Sequence, residues 1–284
     1  MSVTLPTRAN PVKATRIGPK ILIMYSLPKV GKTEQLTELA KMADCLIVDA
    51  EQPHGTDTYE TTAMKVDNMA QVKYVPKLIK DAGAKLVGKP GLAQFPYTFI
   101  AIDTIDAVED MAELSATEAY KETTIGKSFK GRSVLELPNG GGYYYLRQEV
   151  MDVIDAYAAC CPYLILIVHV KEKLIATKDG AEVKVNDISL TGKLSSIVCA
   201  RADAITYLYR NNKGELRMSF QTYDGAVMGA RQKYLAGKDL PFSWTTIYPE
   251  VFGIDPATLS AAPANSALPE GVKSALKISK AIFA

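Results

Sequence analysis

Lys32 and Thr33 close the stretch Ser26-Leu27-Pro28-Lys29-Val30-Gly31-Lys32-Thr33, and their spacing suits the cradling of a phosphate chain. In such a loop consecutive backbone N–H groups and a helix N-terminus point at the anion. A lysine placed like Lys32 reaches the β- and γ-phosphates, and a hydroxyl placed like that of Thr33 holds Mg²⁺. Ser26 departs from the pattern, which has a glycine there. If that position needs a left-handed backbone, serine costs roughly 1 kcal/mol. Asp103 ends the apolar run Phe99-Ile100-Ala101-Ile102. An acid at the tip of a buried strand beside a phosphate loop holds the water shell of Mg²⁺. The competing reading of Asp103 is a cap for the helix that follows. Asp49 and Glu51 stand in the same relation to Cys45-Leu46-Ile47-Val48.

These residues need elements that bring them to one edge. Ile21 to Tyr25 reads as a buried strand, and Leu36, Leu39, Ala40 and Ala43 mark one face of the helix behind the loop. Continuous apolar runs at 45–48, 96–102 and 162–168 read as parallel strands buried on both faces. Helices are predicted over 65–83 (with a kink at Pro76), 104–121, 143–160 and 194–200. Residues 203–210 and 214–221 alternate around Asn211-Asn212-Lys213-Gly214, an antiparallel hairpin signal. The fold class is therefore α/β, a mostly parallel sheet flanked by helices with an antiparallel hairpin towards the C-terminus. In open α/β sheets ligands sit at the carboxyl ends of strands. That rule gathers the loop, Glu51, Asp103 and His169, which ends the 162–168 run, at one edge. His169 is either a nucleotide-sensing group or a satisfied structural histidine.

Three segments interrupt the alternation. Residues 121–142 carry five glycines, with Lys121, Lys127, Lys130 and Arg132 around Phe129, and Tyr143-Tyr144-Tyr145 follow. Cations that track phosphates and rings that stack on bases can hold single-stranded nucleic acid. A solvated surface loop accounts for the same composition. Residues 171–193 read as a second loop or hairpin, with lysines and acids nearly balanced. Arg231 and Lys233 form a basic pair on a loop that leaves a strand. A central domain over 20–253 is expected between a proline-containing arm (1–19) and a Pro/Ala/Ser linker with a helical tail (254–284).

Composition narrows the classes. The net charge is +2 over 284 residues, so nucleic-acid binding would have to come from local patches. The four cysteines (Cys45, Cys160, Cys161, Cys199) form no C-x-x-C pair and read as buried thiols of a reducing cytoplasm. Two histidines, His54 and His169, argue against a metal cluster. No apolar run reaches about 18 residues, and neither a membrane span nor a signal peptide is expected.

Taken in order, the phosphate loop, LIVDAE, FIAIDTID, LIVHVKEK and TGKLSSIVCARADAITYLYR resemble the RecA-like P-loop ATPases over about residues 18–237. Within that group the chain looks closest to phage nucleotide-binding proteins, which include single-strand annealing recombinases. The resemblance implies ATP and Mg²⁺ as ligands and a homo-oligomer, ring or filament, with the site at subunit interfaces. It further implies single-stranded DNA as partner in recombination or annealing and action in the host cytoplasm. It gives Glu51 the role of activating water, Asp103 that of the Mg²⁺ acid, and His169 that of a γ-phosphate sensor. Residues 122–142 and 171–190 become DNA loops, with Lys127, Phe129, Lys130 and Arg132 as contacts. Arg231 and Lys233 become cations inserted into a neighbour's site. The alternatives are a nucleotide-dependent assembly protein with no DNA role and a helicase-type motor.

Overall fold

The computed structural model describes residues 16–84, 95–176, 182–222 and 227–259. The tail beyond 259 and the first part of the expected arm lie outside the described residues. The chain runs β1 (Ile21–Ser26), α1 (Lys32–Met42), β2 (Cys45–Asp49), β3 (Ala63–Lys65), α2 (Met69–Ala84), β4 (Phe99–Asp103) and α3 (Ile105–Glu122). It continues with α4 (Gly142–Ala158), β5 (Tyr163–Ala176), β6 (Glu182–Ile188), α5 (Leu194–Arg201), β7 (Ala204–Arg210) and β8 (Leu216–Ser219). The last elements are β9 (Gly229–Ala230), β10 (Asp239–Pro241), α6 (Trp244–Ile247) and α7 (Pro256–Leu259).

The sheet has the order β10-β8-β7-β1-β5-β4-β2-β3, with β6 paired to β5 and β9 to β7. From β7 to β3 every neighbour is parallel, whereas β8, β10, β9 and β6 are antiparallel additions. The expected α/β class and C-terminal hairpin are both present. The reason is visible in β1, whose residues alternate between two cores. Ile21, Ile23 and Tyr25 face one side with residues of α3 and α4, while Leu22 and Met24 face the other with Leu36 and Leu39 of α1. A strand covered on both faces needs an unbroken apolar run.

The parallel register lines up the strand tips. Ser26 lies opposite His169, and Asp49 opposite Asp103. β5 does not stop at His169, as the apolar run predicts, but continues to Ala176. His169 is instead the residue at which β5 leaves the parallel core and becomes one arm of the β5–β6 hairpin, where Val170 pairs with Ile188. The second loop is thus a hairpin, and its exit is held by Glu109 of α3. That buried carboxylate accepts from the Thr191 N–H at 2.9 Å.

Two corrections concern α2 and the glycine-rich segment. The helix expected over 65–83 begins at Met69, because Ala63–Lys65 form an edge strand on β2. Pro76 sits inside this helix, where its missing N–H would leave the Val72 carbonyl unsatisfied. The Tyr157 hydroxyl of α4 donates to that carbonyl at 2.8 Å and replaces the lost bond. Residues 121–142 are not a loose loop but three successive 3₁₀ turns, at Gly126–Ser128, Val134–Glu136 and Pro138–Gly140. Val134 is fully buried, and its N–H donates to Thr117 of α3 at 2.8 Å. Ser133 and Glu136 form a capping box. The glycines permit close packing: a Cβ on Gly126 would lie 1.8 Å from the Tyr120 carbonyl, and one on Gly142 1.7 Å from the Val134 carbonyl.

At the other end of the chain, Gly18 and Pro19 of the expected arm are buried, and the Gly18 N–H donates to Glu250 at 2.6 Å. Among the described residues no helix is long and apolar enough to cross a membrane. All four cysteines are free thiols, with Cys45, Cys160 and Cys161 buried.

Candidate active site

The loop after β1 turns through Lys29 (φ 64°) and Gly31 (φ 119°) into α1. Gly31 caps the helix and supplies no side chain, so the first N–H groups of α1 are left to face an anion. Ser26 is not among the residues with positive φ, so the expected backbone cost of a serine there does not arise. The left-handed turn has moved to Lys29. Ser26 is fully buried, and its Oγ accepts from Lys32 Nζ at 3.1 Å while donating to the Leu27 carbonyl at 2.8 Å. Lys32 is itself largely buried, and desolvation holds its ammonium below the ordinary lysine range.

Thr33 Oγ1 donates to Asp103 Oδ2 at 2.7 Å, joining the loop to the tip of β4. Asp103 is only 1% exposed, and its Oδ1 has no hydrogen-bond partner among the described residues. Burial pushes the Asp103 carboxyl up to about 7. A buried carboxylate with one orphaned oxygen beside a threonine hydroxyl is a donor set that suits a hard divalent cation. No cluster of three or more His, Cys, Asp or Glu able to hold a metal exists among the described residues.

Glu51 stands just past β2, within reach of the same loop. A Cβ on Gly55 would lie 3.2 Å from Glu51 Oε2 and 3.3 Å from Thr33 Oγ1, so the 3₁₀ turn at Gly55–Thr58 packs directly against both groups. Asp49 is not among the residues that line the cleft with the loop. It is fully buried and accepts from the Thr56 N–H (2.8 Å), the Thr56 hydroxyl (2.6 Å) and the Glu51 N–H (3.2 Å). It shapes the turn that presents Glu51.

His169 faces Glu51 with Nε2 at 3.3 Å from Oε1 and donates through Nδ1 to Asp106 Oδ2 at 2.7 Å. Asp106 also accepts from the His169 N–H at 3.2 Å. The hydrogen bond donated to Asp106 raises the His169 pKa above the ordinary imidazole value, against the opposing effect of burial. The acids of the first turn of α3 are legible as dipole partners, but the pairing of Asp106 with a residue 63 positions away is tertiary and carries no local signal.

Pro28, Lys29, Gly31, Lys32, Thr33, Glu51 and His169 share one cleft of ≈ 310 Å³. Thr58 and Tyr59 also line it, and Tyr59 is 41% exposed. Sequence reasoning missed Tyr59, although an aromatic in the turn after Glu51 is a signal that could have found it. Val30, expected in the loop, is half-buried and packs towards Leu36 and its neighbours.

Arg231 and Lys233 are not part of this cleft. β9 joins β7 at Ala204, which pairs with Leu22 at the amino end of β1, the opposite edge of the sheet from the loop. Arg231 Nη1 donates to Asp203 Oδ1 at 2.9 Å, and Lys233 is exposed. Lys127, Lys130 and Arg132 are exposed on the segment between α3 and α4. Phe129, expected to offer a free ring, is half-buried and packs edge-on against Tyr120 with centroids 5.5 Å apart. The rings that face outward nearby are Tyr144 and Tyr145.

Among known protein families, the model described as an AAA domain matches residues 18–232. No curated protein matches the chain.

Proposed function

The chain belongs to the AAA domain family, and on that premise we propose that it is an ATP-hydrolysing P-loop enzyme whose turnover is coupled to single-stranded DNA. One observation carries the enzymatic half. Lys32, Thr33, Asp103 and Glu51 come from the loop and the tips of separate strands, yet Thr33 meets both Asp103 and the turn against Glu51. A nucleotide-storing protein needs the loop and the metal acid, but no second carboxylate facing the same cleft.

In this reading the N–H groups of the loop and Lys32 hold the phosphates, and Thr33 and Asp103 hold Mg²⁺. A divalent ion held there would supply positive charge to neutralise what develops on the phosphates. Glu51 accepts a hydrogen bond from the attacking water and orients it. His169 lies on the other side of Glu51 and, when protonated, draws the carboxylate towards itself. The resemblance places a neighbour's Arg231 and Lys233 opposite the cleft in a ring or filament. Because they lie at the far edge of the sheet, any action of theirs on such a cleft would be on that of another copy.

The DNA half rests on charge and location. Lys121, in the last turn of α3, and Lys127, Lys130 and Arg132, on the folded segment after it, are exposed, and the first turn of the same helix holds His169. The contact series Phe129–Tyr120–Tyr145–Tyr144 links the segment that carries the cations to the exposed rings of Tyr144 and Tyr145. Exposed rings amid lysines suit unpaired bases and their phosphates. The packing of Phe129 inside the chain favours the second reading, a nucleotide-dependent assembly without DNA.

The test measures MgATP binding and hydrolysis with and without labelled single strands. Lys32→Ala abolishes nucleotide binding, and a variant that binds and turns over like the native chain overturns the enzyme reading. Single strands that neither bind nor alter turnover overturn the DNA coupling and leave the assembly reading, which imaging with an ATP analogue then examines.

A further inference from the structure

Lys29 is the apex of the phosphate loop, and its backbone is left-handed with φ at 64°. That region penalises any residue with a Cβ and belongs by default to glycine. Gly31, two residues on, is the glycine that a sharp loop entry to α1 requires, with φ at 119°. A lysine two positions earlier is a different matter, because a loop can place glycine there without loss of geometry. Strained conformations of this kind persist where the side chain has a task.

The surroundings of Lys29 say what that task is. Its side chain is exposed, and no hydrogen bond or ion pair to it exists among the described residues. It lines the same cleft as Lys32, Thr33 and Glu51. Two ammonium groups, those of Lys29 and Lys32, therefore border one cleft. A left-handed backbone and a cation without a partner among the described residues coincide at Lys29. Two cations on one cleft suit a polyanion; a neutral or singly charged ligand gains far less from the second.

We infer that the Lys29 ammonium is a second phosphate-binding cation of the cleft, one that selects triphosphate over ligands of lower charge. This rests on the nucleotide reading above and deepens it from the backbone of the loop to a side chain. It also separates two tasks. Lys32 is buried and fixed by Ser26, whereas Lys29 is solvated and approaches the phosphate chain from the rim.

The experiment compares the native chain with Lys29→Gly, Lys29→Gln and Lys29→Arg, titrating MgATP, AMP and inorganic tripolyphosphate and recording thermal melting. Loss of one charge-assisted contact corresponds to about a tenfold or greater weakening. The expected result is that Lys29→Gly and Lys29→Gln weaken MgATP and tripolyphosphate by that factor, leave AMP within about threefold, and that Lys29→Arg restores binding. Lys29→Gly is expected to melt no lower than the native chain, because glycine accepts the left-handed turn. Native-like triphosphate binding by the glycine and glutamine variants overturns the inference. Equal losses for AMP and triphosphate overturn it as well, since charge would not be what is read. A loss that arginine fails to repair, or a glycine variant that melts lower, assigns Lys29 to loop structure and also overturns it. If the native chain itself binds no MgATP, the nucleotide reading fails first; if it binds and only Lys32→Ala abolishes binding, that reading stands and the Lys29 assignment alone is lost.

Discussion

Glu51 and His169 face each other at 3.3 Å, and Asp106 grips the far nitrogen of the imidazole at 2.7 Å. The carboxylate suited to orient water is therefore coupled to a titrating group. His169 has its pKa raised by Asp106, so it stays protonated to a higher pH than a free imidazole. Protonated, it pairs with Glu51 and competes with water for that carboxylate; neutral, it releases it.

Turnover is accordingly expected to rise with pH, with an inflection above the ordinary imidazole value of about 6.5. His169→Gln removes that inflection. Glu51→Gln lowers kcat by about 10²-fold or more while MgATP still binds. Initial rates from pH 5.5 to 9 check both outcomes. The linkage to stability has the same sign. The His169–Asp106 interaction contributes fully below the unfolded histidine pKa and is lost as pH rises through the raised folded value, which melting of the native chain against His169→Gln over the same range detects.

Asp103 acts with the same sign, but its cause is burial and not a hydrogen bond. Its folded pKa of about 7 lies above the unfolded carboxyl value, so ionising it in the fold is costly. Between the two values the folded chain holds a proton that the unfolded chain has lost, and stability falls as pH rises through this window. Asp103→Asn should therefore melt higher than the native chain at pH 8 by a few degrees, at about 2–4 °C per kcal/mol for a domain of this size. The gap should close at pH 4, where both chains are neutral at this position. The same variant loses Mg²⁺-dependent hydrolysis, so a gain in melting temperature accompanies a loss of activity.

Tyr59 offers an exposed ring to the cleft that the phosphate loop also lines. Stacking of a base on an aromatic ring is worth about 1–3 kcal/mol by alanine substitution. Tyr59→Ala should weaken MgATP by about five- to a hundredfold and leave inorganic tripolyphosphate unaffected. Calorimetric titration of the two ligands separates base recognition from phosphate recognition.

Reversing Lys127, Lys130 and Arg132 to glutamate removes three cations from an exposed surface. If single strands bind there, affinity falls at every salt concentration and the slope of log affinity against log salt becomes shallower by about 2. MgATP hydrolysis without DNA stays at the native level. Fluorescence anisotropy across a salt series reads the slope directly.

What was legible in the chain follows from how local each signal is. Runs such as Phe99–Asp103 declare both a buried strand and its acidic tip, so the sheet and the positions of Glu51 and Asp103 could be read without coordinates. The pairing of Asp106 with His169 joins two residues whose partnership exists only after β5 is laid beside β4. The end of β5 was misplaced because polarity marks where burial stops, not where hydrogen bonding stops. The strain at Lys29 is a property of backbone angle and has no signature in residue type. In 121–142 composition points equally to a solvated surface loop, because the close packing that Gly126 and Gly142 permit is tertiary.

Those glycines carry a consequence for how this surface can change over evolutionary time. Gly126 and Gly142 each have a carbonyl oxygen less than 2 Å from where a side chain would begin. Any other residue there would push the segment off α3. The lysines and arginine between them contact solvent and can be exchanged freely so far as folding is concerned. The segment therefore behaves as a fixed frame with replaceable ornaments: descendants of this chain can drift in which partner they attract while the backbone that displays the attracting groups stays the same.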